Sequence, residues 1–224
     1  MTDDFAALTR TVESRYSCRG FLPDQVPDEI IREIVATAGR APSWCNAQPW
    51  QVTITRGDET DRFRTDLVAH ATSHGPAPDL PWPNGYPGAT GARRRTCGYQ
   101  LYGALGIARE DYAARQEQHF ENYRLFGAPH VAIVSSEADL GAYGALDCGG
   151  FVTAFTLAAT AKGLGSIAQA SVAAYPDFVR QHFGLAETRL ILCAISFGYA
   201  DPDHPANSFR TERADLSEIC DLRG

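Results

Sequence analysis

Residues 41–50 read Ala-Pro-Ser-Trp-Cys-Asn-Ala-Gln-Pro-Trp, and they say the most about the fold and chemistry of this 224-residue chain. They lie between a predicted helix and a predicted strand, and the two prolines fix φ and stiffen the connection. The hydroxyl of Ser43 and the carboxamides of Asn46 and Gln48 can each donate and accept hydrogen bonds. Such a loop suits a planar polar ligand, although the same side chains also satisfy the backbone of ordinary turns.

A second polar cluster lies upstream, where residues 15–19 read Arg-Tyr-Ser-Cys-Arg. In an extended segment alternate side chains point the same way, so Arg15, Ser17 and Arg19 share one side. Guanidinium and hydroxyl groups bind phosphate oxygens through strong hydrogen bonds. The cluster therefore indicates a phosphate site, and the simpler alternative is a surface arginine beside a helix-capping serine.

Together the two segments resemble the start of an FMN-dependent nitroreductase. That family combines an Arg-x-Ser-x-Arg/Lys segment, a short helix, and then Ala-Pro-Ser-x-x-Asn-x-Gln-Pro-Trp. The resemblance extends over nearly the whole chain, and residues 41–50 are its most specific part. Further similar segments are Leu157-Ala158-Ala159 before Gly163-Leu164-Gly165, Gly198-Tyr199 after a late apolar run, and Arg213 to Leu216 in place of a C-terminal Arg-x-Pro-Leu.

The periodicity of apolar residues predicts an α+β fold, because short strands alternate with long helices without a regular βαβ rhythm. The nitroreductase resemblance implies the same fold: a small, central, mostly antiparallel sheet surrounded by helices, in a domain-interlocked homodimer whose long central helices form the interface. It also implies a single nitroreductase-like domain over 1–224 with an excursion or lid at about 74–126. Helices are predicted over 3–14, 27–39, 59–70, 90–105, 109–125 and 145–162, strands over 50–55, 130–135 and 190–197, and a tail element over 214–220.

The resemblance implies FMN as cofactor and NAD(P)H as co-substrate, and it assigns roles to residues. Arg15, Ser17 and Arg213 would bind the phosphate, with Arg210 assisting. Arg19 would lie near the pyrimidine carbonyl, where a cation stabilises the reduced anionic flavin. The loop at 41–50 would serve the flavin of the partner subunit, and backbone amides near 168–171 would face flavin N5. The predicted cofactor-binding residues are Arg15, Tyr16, Ser17, Arg19, Pro42, Ser43, Asn46, Gln48, Ala168, Gln169, Ala170, Ser171, Arg210 and Arg213.

At two of these positions, Ala168 and Ser171, the chain departs from the family pattern, which often has proline and an acidic residue or glycine there. The departure leaves undecided which residue donates to N5. It is compatible with the predicted contact, because that contact is made by the backbone and not by these side chains. For Gln169 the alternative is an exposed turn residue.

Residues 74–91 are rich in proline and glycine and are predicted to lack regular structure, as a lid or as a linker. In the family this part of the chain covers the open face of the flavin. Trp82, Tyr86 and Arg94 are therefore the candidate residues that bind a small aromatic acceptor. A guanidinium would favour acidic aromatics such as nitrobenzoates. The alternative for Arg93–Arg95 is a solvated helix face.

Composition excludes several classes of function. The formal net charge of −7 argues against a nucleic-acid partner. No apolar span long enough to cross a membrane and no signal-peptide pattern is expected, so a cytoplasmic location without a membrane partner is predicted. The six cysteines lack a Cys-x-x-Cys pair and are expected to be reduced. The six histidines are scattered, so no metal site is predicted, and Gly163-Leu164-Gly165 is not a dinucleotide fingerprint.

These observations predict an FMN-dependent oxidoreductase that uses NAD(P)H to reduce nitroaromatic or quinone-like acceptors by a ping-pong mechanism. The flavin carries the hydride, so no side chain is named as a catalytic acid or base. One alternative is a reductive dehalogenase or an enzyme with other flavin chemistry on the same fold. Family members that dehalogenate tyrosines hold their substrate with a Glu, a Tyr and a Lys in the lid, and Lys162 is the only lysine here. The alternative of another class is a flavin-binding or sensing protein without turnover.

Overall fold

The computed structural model describes residues 3–224, which form a small sheet covered by helices on both faces. The α+β prediction is confirmed. The strands are β1 (Gln51–Ile54), β2 (His130–Glu137), β3 (Gly165–Gln169) and β4 (Arg189–Gly198), and the helices are α1 (Asp4–Ser14), α2 (Asp28–Ala38), α3 (Asp58–Ser73), α4 (Gly88–Ala104), α5 (Tyr112–Phe120), α6 (Gly141–Ala161), α7 (Pro176–Phe183) and α8 (Leu216–Ile219).

The four strands pair antiparallel in the order β1-β2-β4-β3. Ile195 of β4 lies opposite Ala132 of β2 on one side and Ala168 of β3 on the other. The register shifts between Val134 and Ser135 of β2, because Leu192 of β4 has no partner on β2. This bulge therefore lies in β4 and bends that strand. β3 is thus an edge strand, and its outer side is open to other parts of the chain.

Successive residues of β2 enter two different cores, because side chains alternate across a sheet. The first core holds Ala132 and Val134 with α2 and α6, and the second holds Val131 and Ile133 with α3 and α7. The first contains Val26, Ile31, Ile34, Ala38, Ala132, Val134, Cys148, Phe151, Phe155, Ala159, Leu164, Ile195 and Phe197. The second contains Phe63, Leu67, Tyr123, Leu125, Val131, Ile133, Val172, Ala173, Ala174, Tyr175, Val179, Ile191 and Ala194.

Two predicted helix boundaries are wrong. The helix predicted over 90–105 begins at Gly88, directly after Pro87. The helix predicted over 109–125 covers only α5, because Leu125 and Phe126 adopt positive φ and turn the chain towards β2. The sequence did not predict β3 or α7 at all. The predicted excursion at 74–126 consists of an irregular loop, α4, α5 and this turn, and its role as a lid stays a prediction.

Helix α6 is buried along one face only in the single chain. Phe151, Phe155 and Ala159 are buried at helical spacing. Tyr143 and Leu146 on the same helix are 57% and 68% exposed.

The stretch Ala138–Ala161 is also long and apolar enough to cross a membrane by length and composition. The expectation that no such span exists is therefore corrected, although a core helix with one buried face passes the same test.

His130 makes the stability of the fold dependent on pH. Its ring is 1% exposed; Nε2 accepts the Val26 N–H at 2.9 Å, and Nδ1 lies 3.1 Å from the Thr55 oxygen. Burial lowers the pKa of His130, and Arg56 lowers it further, while the Thr55 carbonyl and Asp28 oppose the shift. Because the folded state excludes a proton that the unfolded chain binds, stability is present above the ordinary pKa of 6.5 and falls as the pH drops below it.

We therefore expect the urea midpoint to fall between about pH 7 and pH 5, with His130 contributing a slope of up to roughly 1.4 kcal/mol per pH unit. His130→Gln should be less stable at neutral pH but should lose this part of the slope. Equal slopes in the two proteins would show that His130 does not cause the dependence.

Candidate cofactor and acceptor site

The predicted phosphate residues line one cavity of ≈ 440 Å³ between the end of α1 and the C-terminal tail. It contains six of the predicted cofactor residues, Arg15, Tyr16, Ser17, Arg19, Arg210 and Arg213. The structure therefore brings together two segments that lie at opposite ends of the sequence. Val12, Glu13, Cys97, Phe209 and Thr211 complete the wall.

Local pairing explains why the 15–19 segment is extended. Ser17 forms a parallel bridge with Ser166, and the Cys18 N–H donates to the Ser166 oxygen at 3.1 Å, beside the open edge of β3. Asn207 joins this segment to the tail. Its Oδ1 accepts the Arg19 N–H at 2.8 Å, and its Nδ2 donates to the Gly20 oxygen at 2.9 Å. Asn207 was not predicted, because no sequence pattern marks its link to residues 188 positions away.

The cavity concentrates positive charge, since four arginines line it beside a single carboxylate, that of Glu13. Among the described residues, none of its four arginines lies within 4.0 Å of a carboxylate. Burial lowers the pKa of Arg15, and the like charge of Arg213 lowers it further. Burial also lowers the pKa of Arg19. The arginines thus repel one another when the cavity holds no anion, and a bound anion would reduce this repulsion.

The hydrogen bonds of these arginines go to neutral acceptors. Arg213 donates to the Thr211 hydroxyl at 2.8 Å. Arg210 donates to the Asn207 oxygen at 2.8 Å, and its guanidinium carbon lies 3.7 Å from the centre of the Tyr16 ring. Arg19 donates to the Ser17 oxygen at 3.2 Å. Several guanidinium donors therefore remain for a ligand such as a phosphate dianion.

The 41–50 loop holds an unusual backbone conformation and lies outside this cavity. Cys45, Asn46 and Gln48 have φ of 49°, 56° and 47°. Each non-glycine residue in this region costs of the order of 1 kcal/mol, and such strain is often found at ligand sites. The Ser43 hydroxyl accepts the Gln48 N–H at 2.9 Å, and the Asn46 and Gln48 side chains bond each other at 3.1 Å. Pro42, Asn46 and Gln48 are exposed.

Helix α6 supports this loop. Asp147 Oδ2 accepts the Trp44 N–H at 3.0 Å. The Trp44 ring packs edge-to-face on Tyr143 with centroids 4.6 Å apart. Asp147 was not predicted, because its partner lies 103 residues away. Trp50 stacks on Phe151 in the core at 5.4 Å.

The segment predicted to face flavin N5 runs along β3 and just past its end. Ala168 and Ala170 are exposed, and Ser171 is half-buried. Gln169 is buried; its Nε2 donates to the Asn122 oxygen at 2.8 Å and its Oε1 accepts the Ser196 hydroxyl at 2.5 Å. The alternative that Gln169 is an exposed turn residue is therefore wrong, and only its backbone remains for a cofactor.

Trp82 and Tyr86 from the loop at 74–87 line a second cavity of ≈ 330 Å³ together with Ala170 and Ser171. The Arg94 guanidinium lies over the Tyr86 ring, 5.1 Å from its centre. Arg93 instead pairs with Glu218 at 2.7 Å. The structure thus brings the predicted acceptor residues next to the predicted N5 segment, and of Arg93 and Arg94 only Arg94 contacts the loop aromatics.

Comparisons with known proteins identify the family of this chain. The model of the Nitroreductase family matches residues 12–199. A relative named nitroreductase NfnB, from Mycolicibacterium smegmatis, is 39% identical, and the match covers 95% of this chain and 91% of the relative. A 4-nitrobenzoate reductase from Nocardioides sp. is 32% identical, over 92% of this chain and 86% of the relative.

A solved structure gives the same result for the fold. The FMN-dependent nitroreductase NfnB from Mycobacterium smegmatis, solved in complex with NADPH, superposes with a TM-score of 0.95 at 38% identity. The superposition covers 99% of this chain and 100% of that one.

Proposed function

The chain belongs to the nitroreductase family, and we propose that its arginine cavity binds the phosphate of FMN. The protein is an FMN-dependent oxidoreductase that uses NAD(P)H to reduce nitroaromatic compounds. The observation that carries the assignment of the cavity is its excess of positive charge, four arginines against the one carboxylate of Glu13. A phosphate dianion would neutralise the mutual repulsion of Arg15 and Arg213.

The other predicted residues fit the remaining parts of FMN. Arg19 lies deeper than Arg15, since burial is greater there, and it would hold a positive charge near the pyrimidine carbonyls. The exposed β3 edge at Ala168 would present backbone to N5. When bound, FMN supplies the hydride transfer. The protein binds and orients the reactants, so we propose no side-chain acid or base.

We propose that the protein is a homodimer in which the 41–50 loop reaches the flavin of the partner subunit. Three features support this arrangement. The loop is strained and exposed but lines no part of its own chain's arginine cavity. Leu146 of α6 is exposed, and so is the apolar stripe of α1 at Phe5 and Leu8. A second copy would bury these apolar side chains.

A dimer with bound flavin is the direct test of this assembly. Light scattering after gel filtration should give twice the 24.3 kDa chain mass. The flavin absorbance should correspond to one FMN per chain. A colourless monomer that takes up no added FMN would contradict the proposal.

We also propose a cytoplasmic location and a ping-pong cycle, in which NAD(P)H and the acceptor occupy the same space in turn. All six cysteines are free, as expected for a reducing compartment.

Quinone-like acceptors remain part of the proposal. A dehalogenase that grips its substrate with a lid lysine is disfavoured, because Lys162 pairs with Glu33 and lies outside the acceptor loop.

The loop aromatics and Arg94 support a preference for acidic nitroaromatics. Trp82 and Tyr86 would stack on a planar ring, and Arg94 would pair with a carboxylate. We expect Arg94→Ala to lower kcat/KM for 4-nitrobenzoate relative to nitrobenzene by about three- to fivefold, roughly 0.6–1 kcal/mol, because an exposed ion pair contributes little more.

Arg93→Ala is the matched control for this measurement, because Glu218 already neutralises Arg93. It should leave the ratio of the two kcat/KM values unchanged. A change of less than about twofold in Arg94→Ala would show that the solvated-face alternative is correct.

A further inference from the structure

The loop between α3 and α4 is fixed to the rest of the described chain at a short stretch, residues 77–79. Ala77 donates its N–H to the Ala174 oxygen at 2.8 Å. Asp79 accepts the Ile191 N–H at 2.7 Å and pairs with Arg180. Residues 81–87, by contrast, are all exposed. The position of the loop aromatics therefore depends on this stretch.

Asp79 and Arg180 form a two-point contact that sets orientation as well as distance. Arg180 Nη1 lies 2.7 Å from Asp79 Oδ2, and Nη2 lies 3.1 Å from Oδ1. The two side chains are 13% and 12% exposed, so solvent screens the pair little. Arg180 is itself held in place, since Nη1 also donates to the Arg189 oxygen at 2.8 Å.

Asp79 also connects two parts of the chain that line the acceptor cavity, strand β4 and the loop between α3 and α4. Ile191, whose N–H Asp79 accepts, lines that cavity, as does Leu192 of the same strand. Trp82 follows Asp79 by three residues and lines the same cavity. Pro81 and Pro83 each have a fixed φ, which limits the conformations of the chain on both sides of Trp82, so a shift at Asp79 would be transmitted to Trp82. Asp79 itself does not line the cavity.

We propose that Asp79 is a positioning residue that determines which acceptors the enzyme binds. It holds the loop so that Trp82 and Tyr86 stand at a fixed distance from Ala170 and Ser171. It acts through the loop and touches neither FMN nor the acceptor. The inference rests on the proposed function, in which a nitroaromatic ring enters this cavity.

The test separates the two half-reactions of the holoenzyme in Asp79→Ala, Asp79→Asn and Asp177→Asn. Asp177 is the matched control, because it also pairs with Arg180, at 2.6 Å, but it is 94% exposed and lies outside the loop. Reduction of FMN by saturating NADPH is measured first. Re-oxidation by nitrobenzene and by the larger 4-nitrobiphenyl is measured next. Hydrogen exchange of the Ile191 amide then reports whether its hydrogen bond to Asp79 has opened.

In Asp79→Ala we expect faster exchange at Ile191, and acceptor binding weakened about tenfold with a smaller difference between the two acceptors. FMN affinity and the limiting rate of reduction should stay within about twofold of wild type. Asp79→Asn should be intermediate, since its amide oxygen can still accept the Ile191 N–H. Asp177→Asn should match wild type.

Two results would overturn the proposal. One is faster exchange at Ile191 with acceptor binding within about twofold of wild type. The other is an equal loss of FMN and of both half-reactions in Asp79→Ala and Asp79→Asn, which would make Asp79 a purely structural residue. Failure of the proposed function gives a different result, because then NADPH would not reduce the FMN of the wild-type protein either.

Discussion

Arg15→Ala should weaken FMN binding about 10- to 100-fold, because one charge-assisted phosphate contact contributes roughly 1.5–3 kcal/mol. The same change should leave the apoprotein as stable as wild type, or more stable. The reason is that Arg15 has no carboxylate partner in the described chain, and Arg213 repels it when the cavity holds no anion. A residue that stabilises only the loaded protein is a ligand-binding residue.

Arg10→Ala is the matched control, since Arg10 is an exposed arginine five residues earlier, on α1, and lines no part of the cavity. Titration of apoprotein with FMN and thermal unfolding of both forms measure the two effects. Arg213→Ala should weaken FMN binding by a similar factor. An unchanged Kd in Arg15→Ala, or an apoprotein that unfolds at a clearly lower temperature, would remove Arg15 from the phosphate site.

Arg189→Met should destabilise the folded chain by about 3 kcal/mol, because buried acceptors would lose their donor at roughly 1–3 kcal/mol each. Arg189 is 7% exposed. Its Nη2 donates to the Ser135 oxygen at 2.7 Å and to the Pro49 oxygen at 3.4 Å. It thus ties the ends of β4 and β2 to the last turn of the 41–50 loop. A fall in Tm of roughly 6–12 °C is expected for a chain of this size.

The control for Arg189→Met is Glu137→Gln. Glu137 accepts from Arg189 Nη1 at 2.8 Å but is half exposed, and Arg189 holds the pKa of Glu137 below its usual value. The glutamine keeps an acceptor and leaves the backbone contacts of Arg189 intact, so Tm should barely change. Equal losses in the two variants would show that the ion pair, and not the backbone contacts, stabilises this corner.

Elements with strong local patterns were predictable from the sequence, and elements that depend on distant partners were not. Helix α2 has an apolar stripe and a glycine stop, and β4 is a long apolar run. β3 was missed because its five residues, Gly-Ser-Ile-Ala-Gln, carry little β-propensity. It becomes a strand by pairing with β4. Helix α7 was missed because it is only eight residues long.

The candidate site divides in the same way. The cluster at 15–19 was recognised from local spacing and Arg213 from the family resemblance, and the structure places them around one cavity. Asn207, Asp147 and Asp79 were missed, since each binds backbone at least 100 residues away. Single polar residues with long-range partners leave no periodic signal. Their roles become visible only when the fold brings the two parts of the chain together.

The most direct test of the account is an anaerobic stopped-flow experiment on the purified holoenzyme. Mixing with NADPH should bleach the oxidised FMN absorbance, and a second mixing with 4-nitrobenzoate or nitrobenzene should restore it in one kinetic phase that depends on acceptor concentration. A flavin that NADPH leaves oxidised, or a reduced flavin that no nitroaromatic re-oxidises, would contradict the assignment as a nitroreductase. It would favour a protein that binds flavin without turnover.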